Sequence, residues 1–416
     1  MRYLARHIDK LIPKQLGAMG ALLIRGPKGC GKTETARNFA KSEIIVDDSV
    51  AIKNAMISDP RVLLAGDTPK LIDEWQNQKE LWNTVRHEVD RRRAKGQFIL
   101  TGSANPPDDV NLHSGQNRFG IINMRTMTWA EMGYSTGEVT LKDVLSDKKV
   151  ASALIEPDLA QLAKRMVIGG WPGNISLSEK YATIANDNAF ELLCEVDINR
   201  VDGVHRDPLK VRQLVRSLAR NVSTEASYNT IRNDVWGVQP GLSTDTVSNY
   251  LRALERLMVV ENLPAWSTHI RSKARLRSTP RRHLADTGLA CSALELSSDK
   301  LLADLEYLGL LFESLVVHDL RILAETMGAK LYHYRDSSGI EVDAIIEFRN
   351  GNWGAFEIKL GSGAEDSAAK SLLSFAENID DSRVPKPLAL SVITGDGFAH
   401  RRDDGVSVVP FPTLTR

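Results

Sequence analysis

An eight-residue stretch with the pattern G-x-x-x-x-G-K-T follows the apolar run at residues 21–24. Glycines at these spacings let successive backbone N–H groups face an anion, and the helix that follows points its N-terminus at the same place. Lys32 would reach the β- and γ-phosphates, and the hydroxyl of Thr33 would bind Mg²⁺. The pattern therefore predicts a site for ATP with Mg²⁺. We assign to it Gly26, Pro27, Lys28, Gly29, Cys30, Gly31, Lys32, Thr33 and the adjacent Glu34.

Two consecutive acids end the apolar run that begins at Lys70. P-loop enzymes place the carboxylate on the Mg²⁺ side at such a strand end, which assigns Asp73 to this role. Glu74 would polarise the attacking water as a general base. The next apolar run would emerge beside Asp73, so that Thr101 or Ser103 would contact the γ-phosphate or the water. Solvated acids and ordinary strand-end hydroxyls are the competing interpretations.

Two arginines, Arg118 and Arg125, bracket the last apolar run of this region. Either could neutralise charge on the transferring phosphoryl group, in the same subunit or in a neighbouring one. We assign Arg118 to this role, and a solvated arginine is the alternative.

Alternating apolar residues on both sides of Asn350 and Gly351 predict a β-hairpin with one buried face. Directly opposed residues must then have numbers with an even sum, which a three-residue loop at 350–352 satisfies and a two-residue turn does not. This register places Asp343, Glu357 and Lys359 together on the opposite face. Two carboxylates and a lysine in this order form the metal site of the restriction-endonuclease-like fold. The acids would hold Mg²⁺, and the lysine would orient the attacking water or help to deprotonate it.

Glu313 is a further candidate ligand of this metal ion, because a carboxylate inside an apolar run of a predicted helix needs a partner. On spacing alone, salt-bridged residues of an ordinary sheet remain the alternative for the three hairpin side chains. A fold of this kind can also persist as an inert binding platform.

The elements that would position these residues follow different patterns along the chain. Apolar runs alternate with helical stretches up to about residue 135, which predicts a parallel sheet with helices on both faces. From about 140 to 200 the pattern is helical and is broken by a turn at 169–173. The candidate strands of the first region are 21–25, 44–47, 70–73, 98–102 and 119–124.

Three amphipathic helices are predicted next, from Pro208 to about Asn221, from Ser227, and from a cap at Ser243. Extended basic sequence follows them, and this order matches a winged helix, whose wing would straddle a DNA backbone. A lid, a protein-docking module or a solvated charge run are the alternatives. The basic stretch contains Arg271, Lys273, Arg275, Arg277, Arg281 and Arg282 and no acid.

The 416 residues exceed what a single hydrophobic core holds, and the formal net charge is zero. A neutral chain confines any nucleic-acid contact to a local patch. No apolar run approaches the roughly 18 residues of a membrane span, so we expect no membrane contact. Three widely separated cysteines suggest a reducing compartment, and we expect a cytoplasmic protein.

The chain resembles the bacterial and archaeal AAA-type ATPases that carry a C-terminal domain of unknown function with a nuclease-like fold. The resemblance covers essentially the whole chain and implies an AAA fold, which usually forms rings and hence homo-oligomers. It implies the roles given above for Lys32, Thr33, Asp73 and Glu74, and it places Arg118 near nucleotide. The matching stretches are GPKGCGKT (26–33), LIDEWQ (71–76), FILTGS (98–103), HSGQNR (113–118), MRTMTWAEMG (124–133), GGWPG (169–173), DINRVDG (197–203), RDP (206–208), ADTGLA (285–290), EVD (341–343) and EIK (357–359).

We therefore predict an α/β protein with four parts. These are a P-loop AAA-type parallel-sheet domain (1–135), a helical lid or linker (136–206), a winged-helix module (207–297) and a restriction-endonuclease-like α/β domain (298–416). The predicted function is Mg²⁺-dependent ATP hydrolysis coupled to action on DNA, with a candidate metal-dependent nuclease domain. The alternative is an ATP-gated switch that binds a protein partner, with the nuclease-like fold as an inert scaffold.

Overall fold

The computed structural model describes residues 3–102, 115–146, 148, 150–236, 243–268, 279–336, 339–380 and 384–415. The chain separates into two compact units. The first unit contains Met1–Thr126 with two short later segments, Asp197–His205 and Ala253–Val259. The second unit contains Met127–Val196, Arg206–Arg252 and Val260–Arg416.

The first unit is built on a five-stranded parallel sheet of β1 Ala21–Arg25, β2 Ser42–Ile45, β3 Lys70–Asp73, β4 Phe98–Gly102 and β5 Phe119–Asn123. The strand order across this sheet is β2-β3-β4-β1-β5. Strands β1, β3 and β4 are covered on both faces, which explains their nearly continuous apolar sequences. The edge strand β2 has a half-exposed, alternating pattern instead. The longer helices of this unit are Ile12–Ala18, Lys32–Arg37, Val50–Ser58 and Leu81–Arg92.

These bounds confirm the five strands predicted from the apolar runs. Strands β1, β3 and β4 have the predicted limits, whereas β2 lies two residues earlier and β5 ends one residue earlier. Strand β4 pairs with β3, so the prediction that its end emerges beside Asp73 is confirmed, with Thr101 opposite this residue.

An aromatic group packs beneath the end of β3. Trp75 is fully buried directly after the two acids, and its ring lies 5.1 Å from that of Trp82. Trp82 stacks in turn on Phe119 of β5, with ring centroids 4.0 Å apart. Burying large aromatic rings stabilises this side of the sheet strongly. The packing of Trp75 therefore fixes the position of the segment that carries Asp73 and Glu74.

The described residues between 140 and 256 are mainly helical, as predicted for 140–200 and for the three helices that follow. Asp207 caps the helix that begins at Pro208, where its carboxylate accepts the N–H of Leu209 at 2.9 Å. Ser243 caps a later helix by accepting the N–H of Thr246 at 3.1 Å. No helix of the described ranges has the combination of length and apolar character that a bilayer span requires. The helices are Leu141–Val144, Leu159–Ile168, Glu179–Leu192, Ile198–Arg200, Pro208–Arg220, Tyr228–Trp236, Thr244–Arg256, Thr287–Ala293 and Ser298–Leu302.

Two small β elements accompany these helices in the second unit. Strand β7 (Val260–Leu263) pairs antiparallel with β8 (Arg281–Leu284). Strand β6 (Val139–Thr140) pairs with β15 (Leu414–Thr415).

The C-terminal part of the second unit contains a six-stranded mixed sheet of β9 Ala329–Arg335, β10 Glu341–Phe348, β11 Trp353–Lys359, β12 Ala389–Thr394, β13 His400–Arg401 and β14 Ser407–Pro410. The strand order across this sheet is β13-β14-β12-β11-β10-β9. The ring of Trp353 packs 5.7 Å from that of Phe375, within an apolar cluster between the sheet and a helix. The helices of this part are Leu305–Thr326 and Glu365–Glu377.

The predicted hairpin is formed by β10 and β11. Ala344 lies opposite Phe356 and Ile346 opposite Gly354, so the predicted even sum is confirmed. The predicted loop at 350–352 is wrong by one position: the N–H of Phe348 donates to the carbonyl of Asn352 at 2.8 Å, so the turn consists of residues 349–351.

Candidate functional site

The phosphate-binding loop follows β1 and has a backbone that only glycine accommodates at several points. Gly29 and Gly31 adopt left-handed φ angles of 80° and 100°. A Cβ atom on Gly26 would lie 2.1 Å from the carbonyl oxygen of Met124, directly after β5. The loop therefore needs glycine at position 26 because another backbone segment packs closely there, and at positions 29 and 31 because their φ angles are left-handed.

The side chains of Lys32 and Thr33 point in different directions from the start of the helix Lys32–Arg37. The ammonium of Lys32 donates to the carbonyls of Gly26 and Pro27 at 3.0 and 2.9 Å. The hydroxyl of Thr33 donates to Asp73 Oδ1 at 3.0 Å. The lysine therefore lies over its own loop, while the threonine joins the loop to the end of β3.

Asp73 receives a second hydroxyl from the neighbouring strand, because Thr101 of β4 also donates to its Oδ1. The carboxylate is thus held between residues that follow β1 and end β4, and it is buried. A threonine hydroxyl next to a fixed carboxylate is an oxygen donor set that suits Mg²⁺. Ser103, the other predicted hydroxyl, lies outside the described residues.

Glu74 sits directly after β3 with φ 54° and ψ 39°, a left-handed conformation that is unusual for a residue with a side chain. The amide of Gln76 donates a hydrogen bond to its carboxylate. Gly102 leaves room for this amide, since a Cβ atom there would lie 2.4 Å from Gln76 Oε1. Sequence reasoning missed Gln76, and no spacing rule singles it out.

Arg6 is a second residue that sequence reasoning missed. Its buried guanidinium donates to the carbonyl of Cys30 in the phosphate loop at 2.9 Å. It also donates to the carbonyls of Arg125 and Thr126 at 2.8 and 3.0 Å. One side chain near the N-terminus therefore ties the loop to the segment after β5, through contacts that local sequence patterns do not reveal.

The remaining predicted nucleotide residues have other partners. Lys28 pairs with Asp197 at 3.3 Å on the surface, and Glu34 pairs with Arg37. Arg118 precedes β5 and donates to Asp90 Oδ1 at 2.9 Å. This places Arg118 at the amino-terminal edge of the parallel sheet, whereas the phosphate loop leaves the carboxyl edge.

The predicted hairpin acids meet at one place in the second unit. Lys359 Nζ lies 2.6 Å from Glu357 Oε2 and 3.3 Å from Asp343 Oδ2. The backbone N–H of Ile358 also donates to Asp343 Oδ2, at 2.9 Å. The structure therefore brings these three side chains together, as the register predicts, on a cleft of about 410 Å³ between the hairpin and the helix Glu365–Glu377.

A β-bulge shapes this site. Val342 pairs with Tyr334 of β9, but Ile345 pairs with Tyr332, so an extra residue of β10 is accommodated around Asp343. Bulges redirect side chains and are common beside functional sites. The bulge depends on pairing with β9, which the hairpin pattern alone does not contain.

Arg281 of β8 enters the same acidic group. Its Nη1 lies 3.0 Å from Glu313 Oε1 and 3.2 Å from Asp343 Oδ1, and its Nη2 lies 2.9 Å from Glu341 Oε2. Glu313 therefore belongs to this cluster, although a guanidinium mediates its contact with Asp343. Among the residues that the structure describes, no three His, Cys, Asp or Glu side chains are arranged to hold a metal ion.

The protonation of these acids follows from burial and from the neighbouring charges. Burial, reinforced by the charge of Asp343, raises the pKa of Glu357 to about 8. Burial likewise raises the pKa of Glu313 well above its usual range. Burial opposes ionisation of Asp343 too, but the charges of Lys359 and Arg281 outweigh it and lower the pKa of this carboxyl. The guanidinium of Arg281 lies between Glu313 and Asp343, so this conformation does not fit a metal ion between them, and binding one would also release protons from the raised acids.

The predicted DNA-contacting cations are wrong at two positions. Arg281 is engaged as described, and Arg282 donates to the carbonyl of Ala226 and lies over the ring of Tyr228. Both arginines are buried on β8, so neither side chain is exposed to contact DNA. Arg271, Lys273, Arg275 and Arg277 lie outside the described residues.

Comparison with known families divides the chain into three parts. Residues 19–133 match the AAA domain family. Residues 159–300 match a domain of unknown function, DUF8612, and residues 308–414 match another, DUF4143.

Individual relatives are distant. The uncharacterized protein Rv2008c of Mycobacterium tuberculosis and the uncharacterized protein Mb2031c of Mycobacterium bovis are each 25% identical over 344 residues, which is 81% of this chain and 70% of the relative. Among solved structures, the Walker-type ATPase PABY2304 of Pyrococcus abyssi is 13% identical with a TM-score of 0.44, over 70% of this chain and 96% of that one.

Two motifs downstream of the AAA domain pack against each other. Asp286 caps the helix Thr287–Ala293, and its Oδ2 accepts the N–H of Gly170 at 2.8 Å. Gly169 is required there because a Cβ atom would lie 2.0 Å from Asp286 Oδ1. The stretches GGWPG and ADTGLA therefore stabilise the fold of the second unit through this contact.

Proposed function

We propose that the chain is a Mg²⁺-dependent ATPase whose catalytic centre lies between the phosphate loop and the end of β3. The observation that carries this proposal is the hydrogen bond from Thr33 to Asp73, which sets two hard oxygen donors side by side. Magnesium bound there would offset negative charge on the phosphates. The match of residues 19–133 to the AAA domain family supports the same activity.

The roles of the chain's own residues follow from their positions. Lys32 would leave the carbonyls of Gly26 and Pro27 and bind the β- and γ-phosphates of ATP. Glu74 would polarise the attacking water as general base, and Gln76 would orient its carboxylate. Thr101 would keep Asp73 directed at the loop.

Two substitutions test this proposal. We expect Lys32→Ala to abolish ATP binding, measured by titration calorimetry. Glu74→Gln should retain ATP binding, while turnover, measured by phosphate release, falls about 10²- to 10⁴-fold. The exposed Glu80→Gln is the matched control and should leave both quantities unchanged. Full turnover by the Glu74→Gln variant would remove Glu74 from the mechanism.

We further propose that turnover is coupled to action on DNA. Support comes from the order of three helices and an antiparallel strand pair, which is that of a winged helix, and from the cations at 271–277. Combined Arg275→Ala and Arg277→Ala substitution should weaken DNA binding and reduce the slope of log affinity against log salt by about 2. Lys370 is an exposed cation on the helix Glu365–Glu377, and Lys370→Ala should have no effect on this slope.

A second candidate is an ATP-gated switch that binds a protein partner. The burial of Arg281 and Arg282 favours it, because two of the six cations are then unavailable to DNA. It predicts DNA affinity that does not respond to the Arg275 and Arg277 substitutions. A partner should instead bind the Glu74→Gln variant with ATP and dissociate without it.

The C-terminal cleft is a candidate nucleic-acid cleavage site. Asp343, Glu357 and Lys359 converge there in the order that we associated with the restriction-endonuclease-like fold. The contact of Arg281 with this cluster instead favours a scaffold role while that contact persists. Incubating DNA and RNA with wild type and with Lys359→Ala, in Mg²⁺ or Mn²⁺, tests the cleavage activity directly.

A further inference from the structure

Arg281 holds a buried position among three carboxylates from two elements. Glu313 comes from the helix Leu305–Thr326, whereas Glu341 and Asp343 come from β10. The three distances to the guanidinium are between 2.9 and 3.2 Å, and only 5% of Arg281 is exposed. A guanidinium with this many ionic partners is a fixed part of the site rather than a surface charge.

A single nitrogen of Arg281 occupies the place between two candidate metal ligands. Nη1 is within hydrogen-bonding distance of both Glu313 and Asp343. A divalent ion held jointly by these carboxylates would need that same space. The two cations would also repel each other strongly in a buried setting, so they cannot share the site.

We propose that Arg281 is a tethered cation that occupies the metal position of the C-terminal cleft and excludes divalent ions until its side chain withdraws. This inference rests on the candidate metal site of that cleft and adds its regulation. Metal affinity is then set by competition with Arg281. The acids alone do not determine it.

Withdrawal involves the side chain and not the strand. Arg281 lies opposite Leu263 in the β7–β8 pair. At the next position Arg282 exchanges backbone hydrogen bonds with Ser223 and Thr224, at 3.0 and 3.2 Å. The backbone of β8 is therefore held on both sides, and rotation about the side-chain bonds of Arg281 is sufficient to free Glu313 and Asp343.

The test compares metal binding with and without this side chain, in nucleotide-free protein that carries Asp73→Asn so that the carboxylate proposed for Mg²⁺ at the phosphate loop does not contribute. Arg281→Ala and Arg281→Gln are titrated with Mn²⁺ by electron paramagnetic resonance. We expect at least tenfold tighter binding than with Arg281 present. The thermal midpoint of both variants should rise on adding Mn²⁺, whereas that of the parent should change little.

Two controls make the result specific. Arg335 also pairs with Glu341, at 3.2 Å, but it has no contact with Glu313 or Asp343 among those described. Arg335→Ala should therefore leave Mn²⁺ affinity unchanged. Adding Asp343→Asn to Arg281→Ala should abolish the gain.

Equal Mn²⁺ affinity in the parent and in the folded Arg281→Gln variant, with folding checked by circular dichroism, would overturn the proposal. So would an equal gain from Arg335→Ala. If Arg281→Ala binds Mn²⁺ tightly but cleaves neither DNA nor RNA, the nuclease activity fails while the role of Arg281 stands. The ATPase is tested separately, because no nucleotide is present.

Discussion

The hydroxyl of Thr33 lies 3.0 Å from the carboxylate of Asp73, although β4 separates the strands that precede and carry these residues. Thr101 belongs to β4, the strand between them, and its hydroxyl donates a hydrogen bond to the same carboxylate of Asp73. Three side chains from three segments thus hold one another in place. The oxygen donors proposed for Mg²⁺ are therefore held close together by the protein's own side chains.

Removing the hydroxyl of Thr33 tests this arrangement. We expect Thr33→Ala to lower ATP turnover about a hundredfold, which corresponds to about 2.7 kcal/mol of transition-state stabilisation. Thr33→Ser keeps the hydroxyl and should retain most of the turnover. Steady-state phosphate release over a range of Mg²⁺ concentrations measures both variants, and equal rates for alanine and serine would show that the hydroxyl is dispensable.

Gln76 tests whether Glu74 must be oriented. Its amide is hydrogen-bonded to the Glu74 carboxylate, so Gln76→Ala should lower kcat for ATP about tenfold and leave KM unchanged. Gln78→Ala, two positions further along, should leave both constants as in wild type. A rise in KM with an unchanged kcat would show that Gln76 serves nucleotide binding instead.

Glu88 gives a prediction about stability and pH. It is buried on the helix Leu81–Arg92, and hydrogen bonds from Arg91 and then Arg92 lower its pKa to about 2. A lowered pKa in the folded state stabilises the protein above the unfolded pKa of about 4.3, and this contribution is lost as the pH falls towards 2. Glu88→Gln should therefore cost about 1–2 kcal/mol at pH 7.

Urea unfolding followed by circular dichroism, from pH 7 to pH 2.5, measures this effect. The difference between wild type and Glu88→Gln should be constant down to about pH 5 and shrink below it. Exposed Glu156 provides the comparison, because Glu156→Gln should show almost no difference at any pH. A gap that stays constant to pH 2.5 would show that the ion pairs contribute nothing.

The sequence predicted the parts of the molecule that depend on local pattern. Strands β1, β3 and β4 were predictable because burial on both faces makes their sequences continuously apolar. The shared face of Asp343, Glu357 and Lys359 followed from the period of two along a strand.

Contacts between distant segments were not predictable in this way. Arg6 donates hydrogen bonds to the carbonyls of Arg125 and Thr126, more than a hundred residues away in the sequence. The residues that flank Arg6 in the sequence do not indicate these partners. Arg281 lies in a run of cations that suggests an exposed surface, yet pairing of β8 buries it. The bulge at Asp343 likewise required knowledge of the pairing between β10 and β9.

Arg118 leads to a prediction about assembly. Strand β5 pairs in parallel with β1, so Arg118 and the phosphate loop lie at opposite ends of strands about 16 Å long. A role for Arg118 in catalysis therefore requires the phosphate loop of a neighbouring copy. We expect Arg118→Ala to lower turnover about 10³-fold, as loss of an arginine finger does.

Mixing two inactive variants distinguishes this arrangement from a role within one chain. Arg118→Ala retains Glu74, and Glu74→Gln retains Arg118, so an equal mixture should recover about a quarter of wild-type turnover through interfaces that combine both intact residues. Lys95 lines the same open cleft as Arg118. As a control, the Lys95→Ala variant should keep full turnover without being mixed with another variant. A mixture that stays inactive would exclude the intersubunit role, because random assembly must create such interfaces whenever the copies associate.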